Sequence, residues 1–181
     1  MTVGLNANQQ LIIDLIEDIP DFPKPGVVFK DITPLMASPA GFRASIAELV
    51  ALAPERIDVV VGMEARGFIL AAPVALELGA GFVPVRKPGK LPGQLYSEQF
   101  ALEYGHETLT IKTDAILLGA RVLVVDDVLA TGGTVGATAA LISRLGAELV
   151  HVTVLMELGF LPGREKLTEL GIENYSAVVT V

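Results

Sequence analysis

The 181-residue sequence predicts an α/β fold in which a central, mainly parallel sheet is flanked by helices. Three observations carry that expectation. Short apolar runs recur at Ile57–Met63, Val122–Val125 and Leu149–Met156, rich in valine and leucine, as strands buried on both faces are. Segments of helical length alternate with them. Hydrophobic residues make up 51% of the chain, with mean hydropathy +0.57, which suits a sheet covered on both faces and leaves apolar surface for a subunit interface. Parallel strands need right-handed crossovers and put a ligand site at their carboxyl ends.

Gln9–Ile19 places Leu11, Ile12, Leu15, Ile16 and Ile19 on one helical stripe. In Asp21–Met36, prolines and a glycine punctuate two short apolar pieces, so an ordered loop with brief extended segments is expected. Pro39–Ala53 returns to helix. Ile57–Met63 is a strand ending at Glu64-Ala65-Arg66-Gly67, and a helix from Phe68 with a strand at Phe82–Val85 completes a βαβ unit. The nearly apolar Gly67–Val85 contains Pro73, Glu77, Pro84 and a Gly79-Ala80-Gly81 break, which favours a buried helix and strand over a membrane span. Gln94–Tyr104 and Glu107–Lys112 read as a hairpin around Gly105-His106. A strand at Leu149–Met156, a short helix at Gly163–Leu170 and a strand at Tyr175–Val181 close the chain.

A formal charge of −8 argues against nonspecific binding to nucleic acid or anionic membranes. The absence of cysteine excludes disulfides and thiol chemistry, and two histidines argue against a structural zinc site. The start, MTVGLNANQQ, has neither the basic nor the apolar region of a signal peptide, so the expected location is cytoplasmic. One domain over residues 1–181 is expected, without repeats or linkers.

The stretch that concentrates chemistry is Arg121–Thr134, RVLVVDDVLATGGT. An apolar strand runs into two adjacent carboxylates, Asp126 and Asp127, and then a small-residue turn, Ala130-Thr131-Gly132-Gly133-Thr134, that opens a helix stopping near Gly146. Unpaired N–H groups and the positive end of a helix dipole make such a turn an anion site. A carboxylate beside a phosphate is repulsive unless it faces a hydroxyl or a metal ion. A sugar phosphate meets both needs, with its phosphate in the turn and its vicinal hydroxyls on the acids. Neighbouring side chains on a strand face opposite ways, so both acids are expected where the strand gives way to the loop. The plain alternative is a helix-capping loop with two solvated acids.

Two further pieces belong to the same edge. Arg66 can clamp a pyrophosphate in bidentate fashion, with Ala65 and Arg66 N–H groups beside it; a Glu64–Arg66 surface ion pair is the alternative. Arg86, Lys87 and Lys90 concentrate three of the thirteen basic residues in a segment that Pro88, Gly89, Pro92 and Gly93 keep irregular. That composition suits a lid over a polyanion, or else a solvated turn.

Val124–Thr134 resembles the phosphoribosyl pyrophosphate (PRPP) loop of type I phosphoribosyltransferases; it has neither the Walker A lysine nor the GxGxxG pattern. Phe22–Leu35, Glu64–Phe68, Arg86–Gly93, Leu102–Gly105 and Gly163–Leu167 are similar to segments of the adenine phosphoribosyltransferases, so the resemblance spans nearly the whole chain. It implies the type I phosphoribosyltransferase fold, with a base-binding hood within residues 1–36 and a flexible loop and hairpin at 86–112. It also implies a homodimer, Mg²⁺, and conversion of adenine and PRPP to AMP and pyrophosphate.

Carried over by residue, Ala130, Thr131, Gly132, Gly133 and Thr134 would hold the 5′-phosphate, and Asp126 and Asp127 the ribose hydroxyls. Ala65, Arg66, Arg86, Lys87 and Lys90 would serve the pyrophosphate. Val28, Phe29 and Lys30 would form the adenine pocket, with Phe29 on one face of the base and Leu158 on the other. Lys30 departs from the arginine of many relatives, and lysine lacks that planar fork. Arg66, Lys87 and Glu103 are the catalytic candidates. Glu103 would take the N9 proton, a role that pyrophosphate or water can also fill. No direct protein ligand to Mg²⁺ is expected, its contacts being to PRPP oxygens and water. Two rivals stand beside this reading: a phosphoribosyltransferase for a 6-oxopurine, and a noncatalytic PRPP sensor, for which the chain has neither spare length nor basic charge.

Overall fold

The computed structural model describes residues 4–101 and 105–181. Helix α1 (Ala7–Asp14) starts at a capping box: the Asn6 side chain accepts from Gln9 N–H, and Gln9 Oε1 accepts from Asn6 N–H. It is shorter than its apolar stripe predicts. From Glu17 the chain turns into strand β1 (Glu17–Pro20), which pairs antiparallel with β2 (Val28–Asp31) in the register Glu17↔Asp31 to Pro20↔Val28. Helix α2 (Thr33–Ala37) occupies the end of the expected loop. Pro34 sits in its first turn, where a missing N–H costs nothing. Helix α3 (Pro39–Ala51) follows, capped by Ser38.

Strand β3 (Val59–Met63), helix α4 (Arg66–Leu78) and strand β4 (Gly81–Val85) form the expected βαβ unit. The hairpin is strands β5 (Leu95–Ala101) and β6 (His106–Lys112), a sheet of its own tied to the Arg86 backbone through Thr110. Arg144 fastens it to the main body, donating to Ser97 O at 2.8 Å and lying 4.5 Å from the Tyr96 ring. Strand β7 (Arg121–Leu129), helix α5 (Gly133–Arg144), strand β8 (Glu148–Glu157), helix α6 (Gly163–Glu169) and strand β9 (Tyr175–Thr180) complete the described chain.

The main sheet is parallel throughout, in the order β4-β3-β7-β8-β9. Alternation along β7 divides the core. Leu123 and Val125 pack with α1, α3 and α4 residues such as Ile12, Leu49 and Leu70; Val122 and Val124 pack with Leu141 and Ile142 of α5 and Ile111 of β6. One expectation needs correction here. Strand β7 does not give way at Asp126 and Asp127 but continues through both to Leu129, because β8 extends alongside as far as Leu129↔Glu157.

Candidate active site

The carboxyl ends of β3 and β7, the start of α5 and the hood hairpin enclose a cleft of about 510 Å³. Phe29, Glu64, Ala65, Arg66, Asp126, Asp127, Ala130, Thr131, Gly132 and Thr134 line it, together with Val128, Leu129 and Val135. A larger, mostly apolar groove of about 700 Å³ between α3 and α4 shares none of these residues. Its charged lining is Arg43 and Glu77, and it offers no convergent polar set.

Both aspartates are buried, at 8% and 5% exposure, although the strand runs through them. Asp127 Oδ2 lies 2.6 Å from Arg66 Nη2 without hydrogen-bond alignment. Asp126 Oδ1 sits against Gly67 in the first turn of α4, where a Cβ would come within 2.6 Å of it. Burial and the adjacent Asp127 charge push the Asp126 carboxyl well above the usual carboxylate range. Burial raises Asp127 too, against the pull of Arg66. Burial and their mutual repulsion therefore both work against ionising the two carboxyls together, and Arg66 favours the charged form of Asp127.

Beyond the acids, Gly132 caps α5 at φ 80°, a left-handed conformation that glycine adopts without strain. Gly133 and Thr134 occupy the first turn of that twelve-residue helix, so its free N–H groups face the turn that Ala130 and Thr131 complete. Phe100 of β5 closes one side; its ring approaches Gly133 so nearly that a Cβ there would stand 2.9 Å away.

Arg86 and Lys87 are held by acids. Glu64 accepts from Arg86 Nε at 2.9 Å and from Lys87 N–H at 3.1 Å, so the expected alternative pairing of Glu64 with Arg66 is not formed. Burial pushes the Glu64 carboxyl up, but the Lys87 N–H bond and Arg86 outweigh it and hold it below its usual value. Lys87 Nζ pairs with Glu107 of β6. Arg86 Nη1 reaches Lys90 O at 3.4 Å, and the Lys90 side chain is exposed.

In the hood, Phe29 meets Phe22 edge to face at 5.2 Å, and the Arg66 guanidinium carbon stands 5.1 Å from its ring centroid. Val28 is exposed on the same strand. The Lys30 ammonium is taken by Asp18 across the hairpin, at 2.7 and 2.9 Å from its two oxygens. Leu158 N–H donates to Leu129 O at 3.0 Å, beside the cleft. Glu103 lies outside the described residues. In the sequence Glu64 stood only as an alternative surface partner of Arg66 and not as a site residue; its actual partners come from 22 and 23 residues away, and no local pattern announces them.

The family model of the phosphoribosyl transferase domain matches residues 29–169. An adenine phosphoribosyltransferase of Cutibacterium acnes is 64% identical over 177 residues, covering 98% of this chain and 100% of that protein. The chain belongs to the adenine phosphoribosyltransferase family of pentosyltransferase enzymes. Crystal structures of family members agree with the type I phosphoribosyltransferase fold. That of the Thermoanaerobacter pseudethanolicus enzyme superposes with TM-score 0.91 at 46% identity, over 96% of this chain and 99% of that one. The Saccharomyces cerevisiae enzyme, complexed with an imino-altritol bisphosphate and adenine, gives TM-score 0.88 at 37% identity, over 95% and 98%. Among the described residues, no group of three or more His, Asp or Glu is arranged to hold a metal ion, and no helix is long and apolar enough to cross a membrane.

Proposed function

We propose that this family member transfers the phosphoribosyl group of PRPP to adenine, giving AMP and pyrophosphate in purine salvage. The observation that carries the reading is one cleft holding a helix-N-terminal phosphate turn, two buried acids and the Arg66 guanidinium. A sugar phosphate with an anionic leaving group meets all three.

Ala130–Thr134 hold the 5′-phosphate through backbone N–H groups and the two threonine hydroxyls. Asp126 and Asp127 accept from the ribose hydroxyls, which give Asp127 Oδ2, buried without a hydrogen-bond partner, a donor. Ala65, Arg66, Arg86, Lys87 and Lys90 serve the pyrophosphate, with the basic loop Arg86–Gly93 acting as the flexible segment that closes over it. The hood, within residues 1–36 of a single phosphoribosyltransferase domain, holds the base. Val28 and Phe29 face adenine with Leu158 opposite, and Lys30, tied to Asp18, orders the hairpin instead of touching the base.

In the reaction the bond from ribose C1 to pyrophosphate oxygen breaks and the bond from C1 to adenine N9 forms. The sugar passes through an oxocarbenium-like state that the two carboxylates stabilise electrostatically. The N9 proton leaves to Glu103 or to the departing pyrophosphate. Asp127 and Glu64 are already paired with Arg66 and Arg86, so the cleft's carboxylates fit a hydrated Mg²⁺ carried on PRPP oxygens better than a protein-built metal site. When bound, Mg²⁺ supplies charge neutralisation to the pyrophosphate.

A second copy of the chain would cover the apolar surface left by Ile69, Leu76 and Phe82 on α4 and β4, which supports a homodimer. The enzyme is placed in the cytoplasm by this reading, without nucleic-acid or membrane partners. The test is AMP formation from adenine, PRPP and Mg²⁺, with each component omitted in turn. Failure to form AMP in the complete mixture would refute it.

A further inference from the structure

Outside the cleft, the most completely engaged charge pair among the described residues joins the end of β8 to the start of α6. Glu157 is 4% exposed, and Arg164 grips it with both arms of its guanidinium: Nε donates to Oε1 at 3.0 Å and Nη2 to Oε2 at 2.6 Å. The guanidinium also lies 5.7 Å from the Tyr175 ring of β9. The Glu157 carboxylate is buried while the Arg164 side chain is 61% exposed, so solvent screens the pair and its contribution to overall stability is small.

The neighbours of the two residues suggest what the pair does. Leu158, directly after Glu157, is hydrogen-bonded to Leu129, which lines the cleft. Gly163, directly before Arg164, is pressed against the phosphate turn: a Cβ on it would collide with Ala130 O. Gly132 in turn has Gly163 O and the Lys166 side chain at its back, each 3.1 Å from where its own Cβ would stand. The pair thus closes a short loop with one foot at Leu158, the residue proposed above to face Phe29 across the base, and the other behind the phosphate turn.

We infer that Glu157 and Arg164 are positioning residues that hold the base wall and the phosphate turn at the spacing of one nucleoside monophosphate. This rests on the function proposed above. Neither residue touches the substrate. The pair makes the phosphate subsite and the base subsite one rigid body, so a ligand that fills both gains over its separate halves by not having to bring them into register. A bidentate pair suits that purpose better than apolar packing, since it fixes orientation as well as distance.

The test is calorimetric titration of the full-length protein with AMP, adenine and ribose 5-phosphate, in wild type, R164A, R164K and E157Q. For R164A the expected result is an AMP Kd raised about tenfold, with the Kd values for adenine and ribose 5-phosphate within about twofold of wild type. R164K, which keeps the charge but loses the fork, falls between. E157Q, the milder change, weakens AMP selectively too and carries the test if R164A does not fold. AMP affinity unchanged in folded variants would overturn the proposal, as would an equal loss for AMP and both fragments, because the pair would then shape the pockets and not their spacing. Wild-type protein that binds none of the three would refute the functional reading itself.

Discussion

Arg66 and Asp127 form an ion pair across the cleft, 2.6 Å from Nη2 to Oδ2, and the same guanidinium stands 5.1 Å from the Phe29 ring. One side chain therefore lies between the acid assigned to ribose and the ring assigned to the base. It neutralises a carboxylate whose side chain is only 7% exposed.

Removing that cation should have two effects. Arg66→Ala is expected to raise the KM for PRPP at least tenfold, which corresponds to roughly 1.4 kcal/mol. It should also destabilise the ligand-free protein by roughly 1–3 kcal/mol at neutral pH, a range reduced because Arg66 is one-third exposed. The deficit is present while Asp127 is ionised and disappears as pH falls through its folded-state pKa, which the variant raises further. Denaturant melts of both proteins between pH 4 and 8 check the sign.

Asp126→Asn should separate stability from function. The Asp126 pKa is raised by burial and by Asp127, so the folded state binds this proton more tightly than the unfolded chain. The resulting penalty is absent below the unfolded value of about 4, and grows until pH passes the raised folded value. Asparagine removes the penalty, and Tm at neutral pH is expected to rise by roughly 2–4 °C, the shift that about 1 kcal/mol produces in a domain of this size. Activity should fall steeply in the same variant. A lowered Tm would show that the carboxylate is not under strain.

Gly67→Ala probes the same acid from α4. The new methyl group would meet Asp126 Oδ1 at 2.6 Å and must displace it, at a cost of about 1–3 kcal/mol for such overpacking. The expected readout is a drop in kcat/KM for PRPP, with the KM for adenine changing less.

Much of this architecture was legible in the sequence, because strands β3, β7 and β8 are apolar runs and the phosphate turn is a contiguous motif. What escaped depends on distant segments. The helical stripe of Gln9–Ile19 continues in sequence past Asp14, but pairing with Val28–Asp31 claims Glu17–Pro20 for a strand. Helix α2 was hidden because prolines read as breakers, although Pro34 falls in a first turn that tolerates it. The bonds from Arg86 and Lys87 to Glu64, and from Lys87 to Glu107, arise only where the loop root crosses β3 and β6. Arg164 was visible as part of a motif, while its partner Glu157 lay just past the expected strand Leu149–Met156 and was not singled out.

Within the cleft, the two halves of the site should respond separately. Asp127→Asn and Thr131→Val are expected to weaken PRPP use by about tenfold or more each, whereas Phe29→Ala should act chiefly on the KM for the base. Initial rates over a grid of both substrate concentrations distinguish these. Unchanged PRPP kinetics in the first two variants would remove the phosphate and ribose assignments.

The measurement that bears most directly on the proposed activity is pyrophosphate release from PRPP and Mg²⁺ with adenine, hypoxanthine, guanine and xanthine in parallel. Release with adenine alone is expected. Release with a 6-oxopurine in place of adenine, or PRPP binding without release for any base, would contradict it.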